Sequence, residues 1–474
     1  MMYDGAGAFA IEGVKSYCKG VFLMTEPRVE IDPSIKKWLQ DEAYDSFRSH
    51  FLQLHPYDQA RLFVQLSEEE RVTFYSFLSP EEMALLIEHV DEETDFLQSI
   101  MNEMETAYAA SIFEHMYTDD AVDVLQELDD KLVTSFLTTM DDNVAEDLQD
   151  LLHYDQYTAG SIMTTEYIAI FSQQTAKSAM NILKKEAPEA ETIYYVYVVD
   201  DFNQLVGVVS LRDLIVHDED TFIKDMMYNN VESVFVGEDQ EEVARKMKDY
   251  DFLALPVVDS KKRLLGIITV DDILDVVDEE ATDDYSKFAG VSDVDQVDQN
   301  PFIAAKQRLP WLIILLFLGL FTANLIGNFE ETLNKVTVLA VFIPLIAGMA
   351  GNSGTQALAV AVRGLATGNF AEEGVTKLIF REAGTGLVTG GTCGVVVTFV
   401  VALWQGSWVL GLLVGSAIFC SLFVATLAGS LVPLVMHKLK IDPAVASGPF
   451  ITTINDVISI LIYLGLATTF MGYL

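Results

Sequence analysis

The last third of the chain holds five apolar stretches, at about 309–329, 336–361, 384–404, 408–435 and 447–472. Each supplies the roughly 20 residues that an α-helix needs to cross hydrocarbon. Only helices and closed barrels satisfy every backbone group in lipid, so this part is expected to be a polytopic helical membrane domain. Charge divides the chain at the same place. Of 29 Lys/Arg and 71 Asp/Glu, only eight and seven lie beyond residue 300, which leaves 21 bases and 64 acids before it. Such an acidic part repels nucleic acid and anionic lipid and attracts cations; nucleic acid is not an expected partner.

Basic residues flank alternate ends of the apolar stretches: Lys306 and Arg308, then Arg363, Lys377 and Arg381, then Lys438 and Lys440. The opposite ends carry Glu330, Glu331 and only Lys335. The positive-inside rule then puts the acidic N-terminal part in the cytoplasm and the C-terminus outside, in a multi-pass protein of the cell membrane. The three cysteines, Cys18, Cys393 and Cys420, form neither a disulfide framework nor a C-x-x-C site, which fits a reducing cytosol. Residues 1–24 contain Asp4, Glu12, Lys15 and Lys19 and make a poor signal peptide; Met24 is an alternative start.

Residues 30–155 are rich in Leu, Phe, Met, Glu and Asp at helical spacing, broken at "LHPYD" (54–58), "LSPEE" (78–82) and "YTDD" (117–120). Ser, Thr or Asp before an acidic first turn is a helix N-cap signal, so a superhelical stack of short helices is expected. An internal repeat follows. "VYVVDDFNQLVGVVSLRDLI" (196–215) aligns with "ALPVVDSKKRLLGIITVDDIL" (254–274) at an offset of 59 residues. The pattern in each copy is strand, helix, strand, hairpin-like turn, strand, helix, opened by "SIMTTEYIAI" (161–170) or "DMMYNNVESVFV" (225–236). With Gly207…Ser210-Leu-Arg-Asp213 and Gly266…Thr269-Val-Asp-Asp272, the repeat resembles a tandem pair of cystathionine-β-synthase-like (CBS) domains, a family in which the final Asp often holds a nucleotide ribose. "DDILDVVDEEATDDYSKFAGV" (271–291) then continues as an acidic helix towards the membrane.

Within the membrane segments, Gly386, Gly390 and Gly394 recur at i, i+4 and i+8, a close-packing face. Asp456 lies inside the last segment with Thr452, Thr453 and Asn455 beside it. A carboxylate at that depth marks an ion path or a proton relay. The donors around it are oxygens, without sulfur or imidazole, and suit a hard cation such as Mg2+, which holds its water tightly. A symmetric dimer would bring two copies of Asp456 onto one axis. "PLIAGMAGNSGTQ" (344–356) puts Pro344, Gly348, Gly351 and Gly354 inside the second segment, with Asn352 and Gln356 adding amides. An irregular backbone lining a wet cavity opposite Asp456 is expected there, with Asn352, Gly351, Gly354, Gln356, Thr452 and Asn455 as lining residues.

That glycine-rich spacing resembles the signature of the MgtE family of magnesium channels. "ETIYYVYVVD", "SLRDLIV", "DYDF", "TVDDILDVV" and "DPAVASGPFITTINDV" look like the same family, and its order of domains runs over nearly the whole chain. The resemblance implies an N-terminal tail (1–29), an all-α superhelical N-domain (30–155), an α/β CBS pair (156–275), a plug helix (276–305) and a membrane domain of five helices (306–474). It further implies a homodimeric Mg2+ channel closed by cytosolic Mg2+, with Asp456 as pore aspartate. By the same match Asp251, Asp272, Asp275, Glu280, Asp283 and Asp442 fall at regulatory Mg2+ positions, and Tyr195, Arg212, Asp213 and Phe252 at an ATP site.

Gating also follows from charge alone. The acidic domains repel one another until divalent cations bridge their carboxylates, and a compact state could then hold the acidic helix at the pore mouth. Two other functions use the same residues: a carrier coupled to H+ or Na+ with Asp456 as relay, and a membrane-anchored nucleotide or metal sensor that conducts nothing. An enzyme is not expected, since the chain has no Walker loop, H-E-x-x-H or G-x-S-x-G elbow.

Overall fold

A computed structural model describes residues 33–90, 94–291, 301–366, 375–440, 442 and 447–473. The tail at 1–29, with Met24, lies outside the described residues. Two compact units divide the chain, one ending at Leu274 and one beginning at Asp275.

The first unit opens with short helices between Pro33 and Leu151, most of them eight to ten residues long. Their starts are written in the sequence breaks. Ser79 and Glu82 form a reciprocal capping box in "LSPEE", Glu82 N–H donating to Ser79 Oγ and Ser79 N–H to Glu82 Oε2. In "LHPYD" Pro56 occupies the first turn, where its missing N–H costs nothing. Helices this short are marginal alone, and stacking supplies their stability. Thr106–Phe113 packs on both Pro80–Ile87 and Asp130–Thr139, so alternate helices meet as in a solenoid. Phe47, Phe51, Phe63 and Phe74 are fully buried between them, with ring centroids 4.9 Å apart for Phe47–Phe51 and 5.2 Å for Phe51–Phe74. The helix Thr118–Gln126, α1, leads into the next region.

The repeat folds as two matching sheets. The first has β1 (Ala169–Phe171), α2 (Ala176–Glu186), β2 (Tyr195–Val199), β3 (Leu205–Ser210) and α3 (Leu211–Val216). The second has β4 (Val234–Phe235), α4 (Gln240–Tyr250), β5 (Ala254–Val258), β6 (Leu264–Thr269) and then α5 (Val270–Ala289). In each, the first strand is parallel to the second and the second antiparallel to the third. Tyr195 pairs with Ser210 and Ala254 with Thr269, so the 59-residue offset extends to strand register and to the bulges after Val198 and Val257. The two turns are also the same object. Asn203 and Lys262 take φ of 60° and 62°, and Asp200 and Asp259 each accept two backbone N–H bonds across the turn.

Among its described residues the second unit has five helices long and apolar enough to cross a membrane: α6 (Pro301–Gly327), α7 (Leu339–Ala366), α8 (Val375–Gln405), α9 (Trp408–Lys438) and α10 (Gly448–Thr469). Several run beyond the apolar stretches, α8 by nine residues at its start. Hydropathy marks only the part that suits hydrocarbon, while backbone hydrogen bonding continues into the polar flanks. Gly386, Gly390 and Gly394 do form the close-packing face of α8. A Cβ at Gly390 would stand 2.8 Å from Phe419 O, and one at Gly394 2.7 Å from Gly415 O, both on α9. The expectation of an irregular second segment is corrected: α7 is a continuous α-helix through Pro344, Gly348, Gly351 and Gly354. An interior proline removes one hydrogen bond and each glycine costs about 1 kcal/mol, and close contact with α9 and α10 offsets both. The core of the bundle is Leu339, Phe342, Ile346, Val414, Ile418 and Leu464, closed by Tyr463, whose hydroxyl donates to Leu339 O at 2.9 Å.

Candidate functional site

The candidate residues fall into four places. The first lies where α1 meets the repeat. Thr118, buried at the start of α1, donates through its hydroxyl to Glu166 Oε2 at 2.9 Å and accepts from Thr165 N–H at 3.0 Å. This contact carries Asp119 and Asp120 in with it. Asp119 is 6% exposed, and burial followed by Asp272, Asp120 and Glu191 pushes its carboxyl well up. Asp120 and Glu191 are each pushed up to about 8, first by burial and then by neighbouring carboxylates. Glu88 is raised by burial, then by Asp271 and Asp272. The strongest charges acting on these groups are therefore other acids, a repulsion that positive charge brought close to them would relieve. Among the described residues no three His, Cys, Asp or Glu side chains close into a metal-ligand cluster. Asp272 belongs to this group and accepts from Thr269 Oγ1 at 2.5 Å. Sequence reading missed Glu88, Asp119, Asp120 and Glu191; "YTDD" reads only as a helix start, and nothing local says which acids a fold will bury together.

The second place is the C-terminal half of α5. Lys287 Nζ lies 2.5 Å from Asp442 and also pairs with Asp283 one turn back. Asp284 is raised by burial and then by Asp442, and Glu280 adds to it. Asp275 stands exposed, one turn beyond Asp272. Asp251 is elsewhere: it is the exposed left-handed cap of α4, with φ 55°.

The third place is within the helices. Gly351 and Gly354 are buried where α7 crosses α10: a Cβ at Gly351 would stand 2.7 Å from Thr452 Cγ2, and one at Gly354 would collide with the Asn455 amide. They are contact glycines. Thr355 Oγ1 and Thr452 Oγ1 meet at 3.3 Å across the same seam. Asn352 and Gln356 lie one turn apart on the exposed face of α7 that also carries Pro344 and Gly348. On α10, Asn455 is 1% exposed and Asp456 half-buried. Neither amide atom of Asn455 and not Oδ1 of Asp456 has a hydrogen-bond partner among the described residues.

The fourth is a cavity of about 270 Å³ between the two repeats, walled by Tyr195, Tyr197, Tyr228 and Phe252 with Asn230 and Glu232. Phe252 is stacked on Tyr250 with centroids 5.3 Å apart, which fixes its ring. Tyr197 is 1% exposed, and its hydroxyl has no hydrogen-bond partner among the described residues. Arg212 and Asp213 stand on α3 outside this wall; Asp213 Oδ2 accepts from Ser210 Oγ at 2.6 Å.

Residues 343–466 match the family model of the divalent cation transporter MgtE, 54–157 that of the MgtE intracellular N domain, and 159–220 and 223–279 the CBS domain. The chain is 51% identical over 435 residues to the magnesium transporter MgtE of Enterococcus faecalis, covering 92% of this chain and 96% of that one. The corresponding Bacillus subtilis transporter is 41% identical, covering 91% and 96%. The crystal structure of the soluble part of a magnesium transporter superposes with a TM-score of 0.51 at 47% identity, covering 52% of this chain and 97% of that one. With family models on its N-domain, CBS pair and membrane domain and such relatives over nine-tenths of its length, the chain belongs to the MgtE family of magnesium transporters.

Proposed function

We propose that this multi-pass membrane protein is an Mg2+ channel that works as a homodimer and is closed by cytosolic Mg2+. The acidic part faces the cytoplasm and the C-terminus the outside. Mg2+ passes Asp456 with its water largely retained, because a single carboxylate per protomer cannot replace six waters. Asn352 and Gln356 share an open face of α7, where hydrocarbon would leave two amides unsatisfied. A water-filled path between two copies suits them, while Gly351 and Gly354 hold α7 against α10.

The observation that carries the closing mechanism is the division of acids along α5. At one end Asp271 and Asp272 join buried carboxylates of the N-domain, and at the other Asp283 and Lys287 meet Asp442. Divalent cations reduce the repulsion within such groups and therefore favour the packed state over a separated one. When cytosolic Mg2+ is low, repulsion returns and α5 leaves the mouth. Asp251, Asp275 and Glu280 would add outer-sphere contacts. ATP is the proposed modulator: its base would enter the aromatic cavity against Tyr195 and Phe252, with Tyr197 as a buried donor, and Arg212 and Asp213 would hold phosphate and ribose outside it.

Vesicles holding the reconstituted protein and an Mg2+ dye test this. Influx should fall at least tenfold in Asp456→Ala and should stop in the wild type as Mg2+ rises on the cytosolic face. Undiminished influx in Asp456→Ala would remove the pore assignment.

A further inference from the structure

Helix α5 carries eight carboxylates from Asp271 to Asp284 and a single base, Lys287. That base stands at the helix's contact with the membrane bundle. Its ammonium is 2.5 Å from Asp442 Oδ2 and pairs with Asp283, four residues back on the same helix. Asp284 is beside them, half-buried, pushed up by burial and by Asp442 and drawn back by Lys287. The next residue, Phe288, packs on Leu358 of α7 and Ile451 of α10. Gly290, at φ 70°, then turns the chain beside Ser447 and Pro449. Lys287 is thus at the docking point itself, among three carboxylates that would repel one another without it.

We propose that Lys287 is a resident cation of the gate: its ammonium bridges Asp283 and Asp442, docks α5 on the bundle before any divalent ion binds, and so sets the Mg2+ concentration needed for closure. The proposal rests on the reading of α5 as the closing helix. An ammonium bridge joins the same two carboxylates that a bound Mg2+ would join, but it is covalently part of the chain and cannot be diluted away. It stabilises the docked state and has no counterpart in the undocked one, which makes it a fixed bias on the equilibrium. Mg2+ then has less to supply. Direct competition predicts the opposite sign: if Lys287 merely blocked a cation site, removing it would let Mg2+ close the channel more easily.

The test uses the full chain in vesicles, with influx followed as a function of Mg2+ on the cytosolic face for wild type, Lys287→Met and Lys287→Arg. Lys287→Met should raise the half-closing concentration by roughly threefold to fivefold, the upper part of the range expected of a partly exposed charge pair. Lys287→Arg should stay within about twofold of wild type, because the bridging charge is kept. An unchanged or lowered midpoint in Lys287→Met overturns the proposal. Wild type that stays open at every Mg2+ concentration would instead show that the closing-helix reading itself fails. Lys287→Gln supplies a second neutral side chain if the methionine variant does not yield monodisperse protein.

Discussion

Gly354 on α7 and Asn455 on α10 occupy one space: a methyl group on the glycine would collide with the buried amide. The opposite side of Gly354 is filled as well, since a Cβ at Gly429 of α9 would meet its carbonyl oxygen. Three helices therefore converge on a residue with no side chain. Gly354→Ala should separate α7 from α10 and lower stability by about 1–3 kcal/mol despite alanine's better helix propensity. Gly348→Ala, which meets nothing within 4 Å, should be neutral or slightly stabilising. Thermal unfolding of both variants in detergent checks the pair, and equal midpoints would contradict the packing account.

The N-domain holds a second relation of this kind. Glu103 accepts from Arg71 Nε at 2.9 Å and from Tyr75 hydroxyl at 2.8 Å, and both side chains of the ion pair are less than a tenth exposed. Glu103→Ala leaves the guanidinium buried without its counter-charge and should cost about 3–5 kcal/mol. The double variant Arg71→Met/Glu103→Leu should recover much of that loss, since neither charge then remains to be desolvated. Denaturant unfolding of the three variants measures it.

How much of this was legible beforehand depends on range. The capping box at Ser79 and Glu82, the turns at Asn203 and Lys262 and the glycine face of α8 are local or periodic, and the sequence pattern shows them directly. The burial of Asp119 and Asp120 beside Glu191 and Asp272 joins residues far apart in the chain, and no spacing rule reaches that distance. In α7 the same glycines were read as a break. Gly351 and Gly354 are contact points instead, because a helix tolerates glycine wherever a neighbour needs the room. Lys287 is the single base of an acidic helix, and being alone among carboxylates is what gives it partners, one of them 155 residues away.

Tyr197 separates stability from binding. Its hydroxyl is buried at the cavity wall without a partner among the described residues. Tyr197→Phe removes an unsatisfied polar group and should raise stability by about 1–2 kcal/mol in the absence of nucleotide. The same change should weaken ATP binding by roughly fivefold, as the loss of one hydrogen bond to a ligand does. Phe252→Ala should weaken it further through the lost ring face. Calorimetric titration and thermal unfolding on one preparation give both quantities. Unchanged ATP affinity in Tyr197→Phe would take the hydroxyl out of the site.

The acids around Asp272 predict a pH dependence with a definite sign. In the packed state Asp120 and Glu191 are pushed up to about 8, first by burial and then by neighbouring carboxylates, while in the unfolded chain they titrate near 3.8 and 4.5. Between those limits the packed state binds more protons than the unfolded one, so its stability must fall as pH rises from about 4 to about 8. The slope is at most about 1.4 kcal/mol per pH unit for each group, and less where the two share a proton. Mg2+ supplies positive charge in place of the protons and should flatten the curve, most visibly above pH 7, where the protons are being lost. Asp120→Asn should flatten it without Mg2+ and raise stability at pH 7.5. Unfolding midpoints of the full-length protein in detergent, taken at several pH values with chelator and then with millimolar Mg2+, measure the slope. If stability rises with pH in chelator, burial of these carboxylates where α1 meets the repeat is not what governs packing.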